Sequence, residues 1–268
     1  MTLVPPSLLP FFERLGQGVR LEAVQCERTR WPALRPGMAL LAALALCLAV
    51  SPRLGLAIDA YSSAERALFM TDHLGATRSP TTLRYIFRKS GSLEEGFDDK
   101  VTVILAAPGN ARCCTATTTF LGGTRRINLP EIDSPQGNPV ILHFLERDIR
   151  EMQRLTKGQP NYFRKRIRMA VSQGAKITEI KVPYGGSLVA AQQIVIAPYV
   201  DDPLRPRYEK FADKQYVFTL SPGVPGGVYA IRAQVDSQSQ GAPALLVDEM
   251  TLDDTASEKR TTAGTPPR

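Results

Sequence analysis

This chain is short of the residues that do chemistry. It has two histidines, His73 and His143, and four cysteines. A Ser–His–Asp arrangement would have to recruit one of those histidines, and neither stands in a supporting motif. No Gly-x-Ser-x-Gly, P-loop, His-Glu-x-x-His or dinucleotide fingerprint occurs. Cys113 and Cys114 are adjacent. Neighbouring strand residues point to opposite faces, so a disulfide between them is awkward. They lack Cys-x-x-Cys spacing and a nearby histidine, which argues against a metal or redox pair. The sequence therefore assigns no catalytic residue, no metal ligand and no cofactor.

The remaining polar clusters read as structural. Pro222–Gly227 is rich in glycine but also in proline, which makes it a turn and not a phosphate cradle. Asp201 and Asp202 precede a proline, a common turn arrangement, and a calcium site would need more oxygen ligands nearby. Glu131 and Asp133 sit in a proline-flanked loop. Net charge is +7. Residues 1–57 contribute +3 of it through six arginines and three glutamates, leaving +4 on the rest. That balance is weak ground for a nucleic-acid partner, and none is expected.

Long apolar runs are nearly absent. The exception is Met38–Val50, "MALLAALALCLAV", which has the length of a signal-peptide core. Pro52 breaks it, Arg30 and Arg35 precede it, and Gly55–Ala57 supplies small residues for cleavage after Ala57. The run is too short to span a bilayer comfortably, so no retained transmembrane helix is expected; a retained anchor is the alternative. Residues 1–29 are long for a leader, which suggests a start codon placed too far upstream or a cytoplasmic extension. Leu46 before Cys47 is too large for a lipoprotein cleavage box. Periplasmic export is the reading that follows.

Downstream, 58–80 reads as a short helix and linker, 81–253 as one β-rich domain, and 254–268 as a disordered tail. Thr81–Arg88 alternates Leu83, Tyr85 and Phe87 with arginines. Lys100–Ala107, Cys113–Leu121, Thr124–Leu129, Lys176–Val182, Ser187–Val200, Lys214–Leu220, Val228–Val235 and Ala244–Leu252 carry further strand signals. Turns fall at 89–97, at Pro108–Asn110, at Gly122–Gly123 as a tight hairpin, and at 183–186. Strands do not alternate with helices. The expected fold is mainly β (α+β): an antiparallel curved sheet or open barrel of about eight strands with a two-helix insert over 139–172. The helices would lie against its concave side or across one end.

In the insert, Pro139 suits a first turn. Val140, Phe144, Leu145, Ile149, Met152 and Leu155 make an apolar stripe. Glu146 with Arg150, and Arg147 with Glu151, are spaced as i,i+4 pairs. Gly158 fits a helix end. Pro160 opens a second helix with Tyr162, Phe163, Ile167, Ala170 and Val171 inward. Arg164, Lys165, Arg166 and Arg168 point outward. They are either the wet side of an amphipathic helix or a strip for headgroups or an acidic partner. His143 reads as a hydrogen-bonded, partly buried side chain.

At "KSGSLEEGF", at 137–171 and at "VFTLSPGVPGGVYAIR", the chain resembles a group of exported proteobacterial proteins of unknown function, over roughly residues 81–252. More loosely, its architecture is similar to periplasmic lipoprotein carriers, whose open barrels are lined by apolar side chains and covered by helices. That likeness implies a non-enzymatic protein binding a lipid or lipoprotein acyl chain. Tyr85, Phe87, Val103, Tyr216 and Phe218 would line the sheet, the helices would act as a lid, and Arg164, Lys165, Arg166 and Arg168 would meet headgroups. Two other readings stand beside it: a cell-envelope scaffold contacting another envelope protein through the helices, and a hydrolase using His143 with a carboxylate.

Overall fold

The alternation predicted for the first strand is the one the backbone adopts. The computed structural model describes residues 61–77, 79–106, 115–135, 137–237, 239 and 241–254. Strand β1 covers Thr81–Ser90, with Leu83, Tyr85, Phe87 and Lys89 buried and Arg84, Ile86 and Arg88 exposed. A period of two sends one set to the core and the other to solvent. The apolar run Met38–Val50, the cleavage position Ala57, all four cysteines, the turn Pro108–Asn110 and the tail after Asp254 lie outside the described residues.

Ahead of β1, a short helix α1 (Ser63–Glu65) continues as a π-helical turn over Arg66–Met70. Ser62 and Glu65 cap it reciprocally, each side chain bonding the other's backbone N–H. After β1 come β2 (Phe97–Ala106), β3 (Thr115–Phe120) and two short strands, β4 (Ile127–Asn128) and β5 (Ile132–Asp133). Helices α2 (Val140–Thr156) and α3 (Pro160–Gln173) follow. Strands β6 (Lys176–Tyr184), β7 (Ser187–Ile196), β8 (Gln215–Leu220), β9 (Val228–Val235) and β10 (Leu246–Leu252) complete the described chain.

The strands form one antiparallel sheet in the order β4-β3-β2-β1-β10-β9-β8-β7-β6, with β5 also on β3. Ten strands stand where about eight were expected, and the return after Gly122–Gly123 differs most, with two short strands in place of one. Instead of a two-residue hairpin, the chain makes a 3-10 turn at Gly123–Arg125. Leu121 and Gly123 take positive φ there. The Asp99 carboxylate holds the turn by accepting from Gly122 N–H at 3.2 Å and from the Arg125 guanidinium at 3.1 Å. Only Ile127–Asn128 and Ile132–Asp133 then rejoin β3.

The two helices fall within two residues of the predicted span. Asn138 caps α2, its Oδ1 accepting from Val140 N–H at 3.1 Å. The left-handed residue at the far end is Lys157, with φ 59°, and not Gly158. Gly158 is needed for space, since a Cβ there would lie 2.5 Å from Phe163 Cζ. The buried face of α2 holds Val140, Phe144, Leu145, Ile149 and Met152 of the predicted stripe, while Leu155 is only half-buried; it also holds Ile141, His143, Arg147 and Asp148, which the stripe did not include. The expected i,i+4 pairs do not form among the described residues: Glu151 accepts from Arg154 of the same helix, and Glu146 and Arg147 find partners on other elements. Glu146 pairs with Arg164 of α3 at 2.6 Å, and Arg147 pairs with Asp248 of β10 at 2.6 Å.

A polar seam thus joins α2 to the sheet inside an apolar core. Lys89 and Asp248 face each other in the β1–β10 register, and Asp248, Ala233 and Tyr216 continue the same row across β9 and β8. Arg147 lies over the Phe87 ring, 4.5 Å from its centroid, as it reaches Asp248. Lys214 and Asp148, both with no exposed surface, form an ion pair, and Tyr216 donates to the second Asp148 oxygen at 2.5 Å. Lys89 closes the row by pairing with Glu94 at 2.6 Å. Buried ion pairs gain little over a well-packed apolar replacement, but losing one partner strands a charge. Asp148→Leu is therefore expected to destabilise the fold by about 3–5 kcal/mol. Asp148→Leu combined with Lys214→Met should recover most of that, as read from urea unfolding midpoints.

Candidate cleft at the end of the sheet

A cleft of about 940 Å³ opens where β1 begins and β10 ends. Its walls come from five places. The segment around α1 supplies Ala67, Thr71, Asp72, His73 and Thr77. The start of β1 supplies Thr82 and Leu83. The β6–β7 hairpin supplies Glu179, Tyr184 and Ala190. The end of β8 and its loop supply Leu220, Ser221 and Val224, and β10 adds Leu252. Leu83, Leu220, Val224 and Leu252 are buried at its base, while Asp72, Thr71, Arg84 and Glu179 are exposed at its mouth. Apolar depth with a polar rim is the usual form of a small-molecule site.

The loop that shapes this cleft is the one read from sequence only as a turn. Gly226 and Gly227 both take positive φ. Gly226 lies so close to the wall that a Cβ would be 2.5 Å from Leu83 Cδ1 and 2.8 Å from Asn138 Nδ2. Ser221 fixes the loop's base, donating to Ala190 O at 2.6 Å and accepting from Gly223 N–H at 3.1 Å.

Asn138 is the hub behind the wall. Its Nδ2 donates to Gly226 O at 2.8 Å and to the Tyr85 hydroxyl at 2.9 Å. Its backbone N–H donates to His73 Nδ1 at 3.3 Å. His73 Nε2 must then carry the proton, and it donates to Ala67 O at 2.8 Å. The imidazole is satisfied only in the neutral form, and burial holds its pKa below the ordinary value. Thr77 Oγ1 accepts from Gly226 N–H at 3.0 Å, tying the loop to the N-terminal segment. One asparagine thus connects β1, α2, the β8–β9 loop and His73. No sequence motif marked Asn138, since its partners lie 53 to 88 residues away.

The residues predicted to bind ligand lie elsewhere. Tyr85, Phe87, Val103, Tyr216 and Phe218 are each at most 1% exposed and belong to the packed core. Phe87 meets Phe97, Phe120 and Phe144 at ring-centroid distances of 5.9–6.4 Å. None of the five lines the cleft; Tyr85 accepts from Asn138, which braces the Gly226 loop from behind. The basic strip is divided. Arg164 is bound bidentately to Glu146, and Arg166 donates to Pro198 O at 3.0 Å and lies 2.9 Å from Asp202 Oδ2. Lys165 and Arg168 stay exposed, with no ion-pair partner among the described residues.

Asp202 is more than a turn former. It is buried, and it also accepts from Leu204 N–H at 2.7 Å and from the Tyr162 hydroxyl. His143 is buried on α2, where a partly buried side chain was expected, and its Nδ1 has no hydrogen-bond partner among the described residues. Glu131 and Asp133 accept from Thr117 and Thr115. Among the described residues no three His, Cys, Asp or Glu side chains gather as a metal site. No described helix is long and apolar enough to cross a membrane.

No protein-family model matches the chain, and no curated protein matches it. The family resemblance therefore gains nothing from these comparisons. Among solved structures, the chain is similar to lipoprotein LppX of Mycobacterium tuberculosis, at 10% sequence identity and a TM-score of 0.28. The similarity covers 68% of this chain and 90% of that one. A likeness at that score carries no argument about fold or ligand, and the cleft has to be read on its own geometry.

Two predictions follow from burial. Gly226→Ala should cost about 1–3 kcal/mol, since it adds backbone strain and a clash with Leu83, and urea unfolding measures it. His143 is pushed by burial from 6.5 to about 4. The unfolded chain takes up that proton near 6.5, while the folded one stays neutral until about 4. The His143 contribution is complete above the unfolded value and is lost as pH falls through this window. The loss is about 3 kcal/mol by pH 4, and His143→Leu should flatten that slope of stability against pH.

Proposed function

We propose that this chain is a non-enzymatic periplasmic protein that takes the apolar part of a lipid or a lipoprotein acyl chain into the cleft. The observation that carries the reading is the cleft itself. Its volume of about 940 Å³ suits one small amphiphile or the end of an acyl chain. Leu83, Leu220, Val224 and Leu252 offer an apolar base, and the exposed mouth offers polar side chains to a head group. The core leaves no comparable role to Phe87, Val103 or Phe218, which already fill their places against the sheet and α2. The leader read from Met38–Val50 supports the periplasmic address. Lys165 and Arg168 are the members of the basic strip left to meet an anionic headgroup.

A cell-envelope scaffold is the second reading, favoured by the same exposed Lys165 and Arg168. The hydrolase reading has little behind it. The His143 ring is buried, its pKa of about 4 makes it a weak base near neutrality, and its Nδ1 touches no carboxylate.

Native mass spectrometry on the full chain, exported to a bacterial periplasm and purified without detergent, tests the binding reading. The expected spectrum holds a stoichiometric lipid adduct, or gains one on addition of fatty acid or phospholipid. Ala190→Trp, which places an indole in the cleft from an exposed position on β7, should abolish the adduct. Its unfolding midpoint should stay within about 0.5 kcal/mol of the parent. An apo mass with no uptake of either lipid overturns the reading.

A further inference from the structure

The free edge of β6 matches itself. Among the described residues strand β6 pairs only with β7, and it closes on it through the two-residue turn Gly185–Gly186, with Tyr184 opposite Ser187. Residues flanking such a turn exchange both backbone hydrogen bonds. Along an antiparallel ladder these bonded pairs alternate, so Lys176, Thr178, Ile180, Val182 and Tyr184 bond to β7. Ile177, Glu179, Lys181 and Pro183 turn their backbone groups outward. The neighbouring ladder agrees with this parity. Ala190 lies opposite Lys181, and its carbonyl points away from β6, accepting from the Ser221 hydroxyl. Pro183, which has no N–H to give, sits at an outward position as the geometry requires.

An edge this long is a template for another strand, and among the described residues nothing pairs with it. We infer that β6 is the interface for a second copy of this chain, joined edge to edge about a two-fold axis at Ile180. Only outward residues can form bonded pairs across the edge, so the registers open to an antiparallel twin are few. Centring the axis on Glu179 sets that carboxylate against itself. Centring it on Lys181 sets two ammonium groups together. Centring it on Ile180 pairs Glu179 with Lys181 of the second copy, twice by symmetry, and lays Ile180 against Ile180. Ile177, 37% exposed in the single chain, then packs against Pro183 of the second copy, and its N–H can donate to that proline's carbonyl.

The side chains leave these groups available. Glu179 is exposed and engages Gln192 of its own chain with Oε1 alone, at 2.7 Å, while Lys181 is exposed and makes no ion pair among the described residues. The contact is isologous, so it closes at two copies and does not propagate into a fibre. Pro183 and the lysines blunt the edge toward unrelated strands, and the alternation of Glu179 and Lys181 selects the one register. The inference stands without the acyl-chain reading, although its Glu179 also stands at the mouth of the cleft.

Sedimentation equilibrium on the full chain provides the test. A dimer is expected. Glu179→Lys and Lys181→Glu, each alone, set like charges across the axis and should raise the dissociation constant on the order of tenfold or more. The double variant Glu179→Lys/Lys181→Glu should bring it back. Circular dichroism on each variant checks that the fold is kept, and these exposed positions should leave it unchanged. Ile180→Cys should cross-link to itself on oxidation beyond the level of the parent chain, while Thr178→Cys, off the axis, should not. A monomer at all concentrations overturns the inference. A dimer indifferent to the single swaps, or not restored by the double one, overturns it equally.

Discussion

The pairing of β1 with β10 is the constraint from which the rest of the architecture follows. It joins two meanders, β1 to β4 and β6 to β10, into one sheet whose middle is made of the first and last strands. The chain leaves the first meander at one edge and enters the second at the other. Helices α2 and α3 are the connection between those edges, so they must pass over one face of the sheet. That face is the one carrying Phe87, Met250, Ile231, Phe218 and Ile194, which are register neighbours across five strands. Covering it buries all five completely and removes that face as an open surface.

The covering is polar where it is most constrained. An apolar helix on an apolar sheet could slide by a turn at small cost, whereas Arg147 against Asp248 and Asp148 against Lys214 and Tyr216 admit one placement. With α2 fixed, Asn138 at its start is fixed as well, and through it His73, Tyr85 and the Gly226 loop. The cleft is therefore the unfilled end of a packed layer. The charges that hold α2 in register also set the cleft's rear wall, and this links the stability of the core to the shape of the candidate site.

Much of the fold was legible because it is local. The strand at Thr81–Arg88 and the two helices follow from periodicity within a dozen residues. Partners were not legible. Glu146 and Arg147 each have an oppositely charged residue four places on, yet each bonds a residue on another element, because the side of α2 that looked solvated faces α3 at Glu146 and the sheet at Arg147. Gly158 looked like the residue that ends α2, but the left-handed position falls to Lys157 and Gly158 makes room for Phe163. The candidate site was the least legible part. A core and a cavity are written in the same apolar residues, and nothing in the order Tyr85, Phe87, Val103, Tyr216, Phe218 says which it will be. The cleft is bounded by a proline- and glycine-rich loop and a histidine and braced from behind by an asparagine, whose meaning comes from contacts far apart in sequence.

The central claim is that a ligand meets the end of the sheet and not its covered face. Photo-cross-linking with a fatty acid bearing a terminal diazirine, followed by peptide mapping, addresses it directly. Adducts are expected in the segment around His73 to Leu83 and in Leu220–Gly227. Adducts confined to Phe87, Val103, Tyr216 or Phe218 would show that α2 lifts from the sheet to admit the ligand, and would contradict the account.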